Sequence, residues 1–338
     1  MRILFLGGTS FVGRHIAEAA IAAGHDVTFF NRGRTNATLF PTNAHIIGDR
    51  ERKRDVDVLE TVDADVVIDT SGYTPNSVRA TARAVAGRVT TYYFMSSVDV
   101  YAHPSEKPVD ETTPTKGLPA GASTSERLPE LYGAHKAECE RELVAILGAE
   151  RVIVVRAGLM VGPHDATERF TYWPVRTAQG GEMLAPVGRS LPIQFIDVRD
   201  VADWSIEALA RGLHGTFNLV GMPQAQTIGD LIDLCQAVAK SRPRVVWVSS
   251  AFLESQNVGA WVELPLWIPN LHELNSFCAI RNDRALATGL RLRPLEQTVE
   301  DILADRASQP NDGLRKAGLS TERERELLAS WRRMIGGE

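Results

Sequence analysis

The sequence predicts an α/β chain, with a doubly wound parallel sheet as the larger domain and a smaller C-terminal α/β domain for a substrate. Three observations carry that expectation. The first thirteen residues read as strand, glycine turn and helix start. Five strand candidates interleaved with helical patterns lie between Arg2 and Met95, and such alternation produces parallel strands joined by crossover helices. The chain has 338 residues, more than the ~100–150 of one typical domain. The expected division is 1–165 with 193–222 for the sheet domain, and 166–192 with 223–338 for the second.

Each element has a local reason. Arg2 to Leu6 is a short, mostly apolar run, as befits a strand buried on both faces, and a helical pattern runs from Arg14 to Ala23. Between them lie Gly7, Gly8, Thr9, Ser10, Phe11, Val12 and Gly13. Glycines let the chain turn tightly and bring backbone N–H groups to an anion at the positive end of a helix, so the turn reads as the pyrophosphate site of a dinucleotide-binding Rossmann fold. Glycines three apart would fall at 7, 10 and 13; Ser10 occupies the middle place, and its small side chain still permits close approach.

Val27 to Phe30 forms a second strand, followed by Asn31-Arg32-Gly33-Arg34. A carboxylate at that strand end would bond the ribose hydroxyls of NAD, whereas an arginine accommodates the 2′-phosphate of NADP. With two cations and no acid, the expected cofactor is NADP, then NAD, with Asn31 and Arg32 among its contacts. Ala44 to Gly48 is a third strand, ending at Asp49 and Arg50 where adenine would lie. A helix from Val56 to Val62 and a strand from Asp65 to Asp69 follow. The run Thr70-Ser71-Gly72-Tyr73, opening on small residues, then lets the cofactor backbone pass. A helix near Asn76 to Ala86 and a strand from Thr90 to Met95 complete this half.

The fifth strand runs into Ser96-Ser97-Val98-Asp99-Val100-Tyr101, and the long irregular segment from about His103 to Glu130 reads as a lid or binding loop. The next helix, extending to Leu147, carries Tyr132 and Lys136, four apart and so on one face. A phenol titrates near a pKa of about 10, too high for efficient proton transfer at neutral pH, and a nearby ammonium lowers it. Ser97 can polarise a carbonyl or alcohol. A sixth strand, Arg151 to Arg156, leads into Ala157-Gly158-Leu159.

The remaining expectations are helices over Arg169–Gln179, Val198–Ala210, Thr227–Lys240, Pro294–Arg306 and Thr321–Met334, and strands over Gln194–Ile196, Thr216–Val220 and Val245–Val248. Thr227 with Asp230, and Thr321 with Glu324, have capping-box spacing. The segment Phe252 to Pro269, with Trp261 and Trp267, suits either the wall of an apolar pocket or a domain core.

Composition narrows the partners. Charge is nearly balanced, 37 Lys and Arg against 42 Asp and Glu, which argues against a nucleic-acid surface. Cys139, Cys235 and Cys278 lack metal or redox spacing and read as buried free thiols, and no pair of histidines has metal spacing. His164, after Gly162-Pro163, suits a substrate mouth or a solvated loop. No apolar stretch reaches membrane-spanning length. The expectation is a cytoplasmic, soluble protein acting on a small molecule, without metal, nucleic acid or membrane.

The glycine turn, Ser97 in Ser-Ser-x-x-Val-Tyr, and the Tyr132-x-x-x-Lys136 pair, each on its expected element, resemble the short-chain dehydrogenase/reductase superfamily. The similarity is to its extended branch, the NAD-dependent epimerase/dehydratase family, and covers residues 1–222 best. The resemblance implies that Ser97, Tyr132 and Lys136 are catalytic. It also implies that Gly7 to Gly13 hold the pyrophosphate, that Asp49 and Arg50 meet adenine, that Lys136 holds the nicotinamide ribose, and that Ala157 and Leu159 lie beside the nicotinamide. Homodimerisation through the Tyr132 helix is a further implication.

Many nucleotide-sugar members carry Asn where this chain has Leu159 and Arg where it has Ile193, residues that grip a substrate diphosphate. Without them, the expected activity is an NADPH-dependent reductase acting on a ketone or secondary alcohol. The alternatives are an epimerase or dehydratase of a sugar or sugar nucleotide with retained cofactor, and a non-catalytic cofactor-sensing or RNA-associated relative.

Overall fold

A computed structural model describes residues 1–102, 108–309 and 316–336. The first part of the segment expected as a lid, 103–107, lies outside them. The chain divides into two compact units: 1–160 with 198–221 and 280–292, and 161–197 with 222–279 and 293–336 among the described residues.

The first unit is built on seven parallel strands. In chain order these are β1 (Arg2–Leu6), β2 (Asp26–Asn31), β3 (Ala44–Ile47), β4 (Val66–Asp69), β5 (Thr91–Ser97), β6 (Val152–Ala157) and a seventh, Gly215–Leu219. Their lateral order runs from the seventh strand through β6, β5, β4, β1 and β2 to β3, the doubly wound Rossmann arrangement. All neighbours are parallel. The order reverses at β1, so the glycine turn at its carboxyl end occupies the switch point where such sheets bind ligands. Register aligns Leu6 with both Phe30 and Asp69, bringing the ends of β1, β2 and β4 level.

Helices cover both faces. Leu4, Leu6, Val67, Tyr92, Phe94, Val152 and Val154 share one core with Val78, Ala82 and Val85 of α3 (Pro75–Val85) and with Cys139, Leu143 and Leu147 of α4 (Tyr132–Leu147). α1 (Phe11–Ala22) packs on the helix Val198–Ala210. Strand side chains alternate between faces, which explains why unbroken apolar runs fill two cores at once.

The structure departs from expectation in several places. The expected Val56–Val62 helix is one turn of α-helix, α2 (Lys53–Val56), followed by a 3₁₀ segment, Asp57–Thr61. Two pieces, Pro192–Ile193 and Ile196–Asp197, replace the single strand 194–196. The segment 280–292, expected in the second domain, belongs to the first unit: Ile280 bridges Val109, and Asn282 Nδ2 donates to the Val220 carbonyl at 2.9 Å.

In the second unit Thr227 and Asp230 do form a reciprocal capping box. The final helix, Thr321–Ile335, is capped instead by Ser320, whose hydroxyl accepts from the Arg323 amide. Glu324, expected in the cap, is buried and accepts from Arg176 Nε at 2.7 Å and the Leu184 amide at 2.9 Å. The strand Glu182–Pro186, absent from the expectation, pairs in parallel with Arg244–Val248. Phe252, Leu264, Leu266 and Trp267 are buried in this unit's core, with Trp267 Nε1 donating to Ser250 Oγ at 3.2 Å. Among the described residues no helix is long and apolar enough to cross a membrane.

Candidate active site

One cleft of about 550 Å³ opens at the carboxyl ends of β1, β2, β3 and β4, within the ~300–1,000 Å³ usual for cofactor sites. Gly7, Gly8, Thr9, Ser10, Phe11, Val12, Asn31, Arg32, Asp49, Arg50, Thr70 and Ser71 all line it.

The floor of the cleft is a turn that only glycine fits. Gly7 and Gly8 have φ of 105° and 86°, and a Cβ on Gly8 would stand 2.6 Å from the Phe29 ring. A Cβ on Gly7 would stand 2.8 Å from Thr70 Oγ1. Gly13 does not line the cleft; a Cβ there would meet the Gly8 Cα at 2.9 Å, so it lets the first turn of α1 close onto the loop. Gly72 is likewise a packing residue, tight against Phe94, Val78 and Asp69, and Tyr73 takes its place in the lining.

At the end of β2, Asn31 is fixed by donating to the Gly7 carbonyl at 3.1 Å and accepting from the Gly33 amide at 2.8 Å. Its side chain thus shapes the loop that presents Arg32 and Arg34, both exposed and in the lining. Neither has an ion-pair partner among the described residues.

Arg50 is a different case. Its guanidinium is buried and donates to both Asp69 carboxylate oxygens at 2.7 and 2.8 Å, to Ser71 Oγ at 3.0 Å and to Thr81 Oγ1 at 3.0 Å. The Tyr92 hydroxyl donates to Asp69 at 2.8 Å. Burial alone would push the Asp69 carboxyl up, but the Arg50 charge and these donors hold it below its usual value. Arg50 therefore ties β3 to β4 and α3 through its two terminal nitrogens, while its buried Nε meets no acceptor among the described residues. Asp49 lines the cleft and accepts from the Glu51 amide at 3.1 Å.

The expected catalytic residues lie along the junction of β5 and α4. Ser97 ends β5 and accepts from the Asp99 amide at 3.2 Å. Gly133 leaves no room for a Cβ against the Asp99 carbonyl, so the start of α4 lies directly on the backbone after Ser97. Tyr132 is the first residue of that helix and partly exposed. One turn on, Lys136 is buried, and its Nζ donates to the Met95 carbonyl at 2.7 Å, two residues before Ser97. Burial lowers the Lys136 ammonium to about 8. Ser96 Oγ donates to Glu140 at 2.5 Å and Arg156 to Glu140 at 2.7 Å, fixing the helix phase against the sheet.

Some expected contacts fall outside the cleft. Lys136, Ala157 and Leu159 are buried and absent from its lining, while Met160 lines it, as alternation of an extended chain requires. His164 pairs with Asp305 at 3.0 Å, both in the second unit. The three cysteines are free and buried. Tyr73, at the end of the expected run from Thr70, lines the cleft, and so does Arg127, which was not expected there. Arg127 was hidden from the sequence in an irregular segment with no periodicity.

The fold is that of a doubly wound α/β protein of the Rossmann class. The sequence profile of the NAD dependent epimerase/dehydratase family matches residues 3–220, and the chain belongs to that family. Solved structures share the fold at low identity. The UDP-glucose 4-epimerase of Thermus thermophilus, in complex with NAD, is 18% identical with a TM-score of 0.66, covering 91% of this chain and 100% of that one. The UDP-glucose 4-epimerase of Thermotoga maritima with UDP-glucose is 15% identical, TM-score 0.67, covering 91% and 99%. The UDP-glucuronic acid 4-epimerase of Bacillus cereus in complex with NAD is 16% identical, TM-score 0.64, covering 91% and 99%. No curated protein sequence matches this chain.

Proposed function

We propose that the chain is a nicotinamide-dependent epimerase or dehydratase of a sugar or sugar nucleotide that regenerates its cofactor in each turnover. Membership of the epimerase/dehydratase family carries the reading. The cleft fits the cofactor: its floor is a backbone cradle that any Cβ would fill, and its rim carries unpaired cations.

When bound, the nicotinamide accepts a hydride from a carbinol carbon and can return it. Tyr132 takes the hydroxyl proton as that carbon becomes a carbonyl and gives it back when the hydride returns. Ser97 donates a hydrogen bond to the same oxygen. Lys136, held against the Met95 carbonyl, favours the Tyr132 phenolate through its charge and serves the nicotinamide ribose. Arg32 supports NADP over NAD, because it is an exposed cation where a ribose-binding acid would otherwise stand.

A second reading, net reduction of a ketone by NADPH, draws on Leu159 and Ile193, both buried and aliphatic, where a diphosphate clamp would be polar. One experiment separates them. A panel of UDP- and dTDP-sugars is incubated with substoichiometric NADP⁺ or NAD⁺, and ketones with stoichiometric NADPH. Epimerised or dehydrated sugar with no net change in nicotinamide absorbance supports the proposal. NADPH consumption by ketones with the sugars untouched supports the second reading instead.

A further inference from the structure

We propose that Arg127 is an anion-binding residue for the cofactor pyrophosphate, reaching over the cleft from the side opposite Arg32. This rests on the dinucleotide reading above and adds a contact from a segment outside the nucleotide-binding turns.

Four guanidinium groups line the cleft, and their surroundings differ. Asp69 neutralises Arg50. Arg32 and Arg34 stand beyond β2. Arg127 comes from the segment leading into α4, and its guanidinium lies 4.1 Å from the centroid of the Tyr73 ring, just beyond β4. Since β1 lies between β4 and β2, the glycine turn separates the two groups of cations. Tyr73 also neighbours Lys136, whose Nζ is 5.0 Å from the same centroid. Arg127 and Lys136, the lysine assigned above to the nicotinamide end, therefore share one aromatic ring.

Its position is built. Ser123 accepts at its carbonyl from His135 Nε2 at 2.7 Å, fastening the segment to α4. Asn76, in the first turn of α3, donates its amide to the Thr124 carbonyl at 3.0 Å and accepts from Thr124 Oγ1 at 3.0 Å. On the other side, a 3₁₀ turn, Pro129–Leu131, joins α4. Stacking on a ring fixes the plane of a guanidinium while leaving its N–H edge free. No acceptor among the described residues meets the Arg127 donors. An exposed, oriented and unpaired cation in a cleft calls for an anion. At the nicotinamide side, the anionic group of a dinucleotide is its pyrophosphate; the 2′-phosphate of NADP belongs to the adenosine side, near Arg32.

The test measures binding of NADP⁺, NAD⁺ and ADP-ribose to the unmodified protein, Arg127→Gln and Arg127→Lys by calorimetric titration at two salt concentrations. ADP-ribose keeps the pyrophosphate and lacks nicotinamide. Arg127→Gln is expected to weaken all three ligands by a similar factor, about tenfold or more, and to flatten the salt dependence, with an unchanged melting temperature. Arg127→Lys should fall between the two. Unmodified protein that binds all three while Arg127→Gln loses nothing, or loses only affinity for a sugar substrate, overturns this inference alone. Unmodified protein that binds none of them overturns the dinucleotide reading and this inference with it.

Discussion

Arg50 and Arg32 line one cleft, and from the sequence each stands just past a strand where a cofactor would pass. The fold separates them. Arg50 is buried against Asp69, Ser71 and Thr81, with its charge already matched. Arg32 is exposed on a loop held by Asn31, with its charge unmatched. On the proposed reading, the difference is one between building a site and selecting its ligand. A buried guanidinium must be paired within the protein, because an isolated buried charge is prohibitively costly, whereas an exposed one can wait for an anion.

Breaking the buried pair should have the largest effect. Arg50→Met leaves Asp69 buried without its partner and is expected to cost about 3–5 kcal/mol of stability, measured by denaturant unfolding. The NADP-to-NAD preference of the protein that remains folded should not change. The pair also sets a pH dependence. Because Asp69 is held below its usual value of 3.8, its contribution is present above that pH and is lost as the pH falls below it; Asp69→Asn should remove that acid-side loss.

Arg32→Ala makes the opposite prediction. Melting temperature should stay the same, while affinity for NADPH should fall by about 1.5–3 kcal/mol more than affinity for NADH. Equal losses for both cofactors would remove the preference for NADP. If Arg32→Ala were instead to destabilise the fold, the contrast between the two arginines would collapse.

Lys136 gives the smallest and most diagnostic effect. Its ammonium titrates at about 8, below the ordinary 10.5, so charge is lost as pH rises through about 8. Cofactor affinity should therefore decline above that pH, and Lys136→Met should lack that limb. The stability sign is opposite. Between about 8 and 10.5 the unfolded chain holds more protons than the folded one, so this residue's contribution to stability rises with pH across that window.

The same contrast marks how far the sequence can be read. The six strands from Arg2 to Ala157 and the glycine turn were legible because apolar runs, turn residues and helix spacing are local signals. Their parallel direction followed from alternation with helices, whereas their lateral order comes from the structure. What was not legible depended on partners distant in sequence. Arg50 meets Asp69 and Thr81, nineteen and thirty-one residues away, and nothing near Arg50 announces either. Leu159 and Met160 differ by one position in an extended chain, enough to exchange core for cleft. Arg127 lies in a stretch without period, located only by the bonds of that stretch to α3 and α4. The aromatic segment around Trp267 was readable as buried but not as core rather than pocket, since both bury apolar surface.

On the proposed function, Tyr132 transfers the proton while the cradle holds the cofactor independently. Tyr132→Phe deletes the phenolic proton and little else. Cofactor affinity should stay within about twofold of the unmodified protein, and turnover on whichever sugar or ketone the panel identifies should fall by about 10²- to 10⁴-fold. A Tyr132→Phe protein that keeps near-normal turnover would contradict that claim outright.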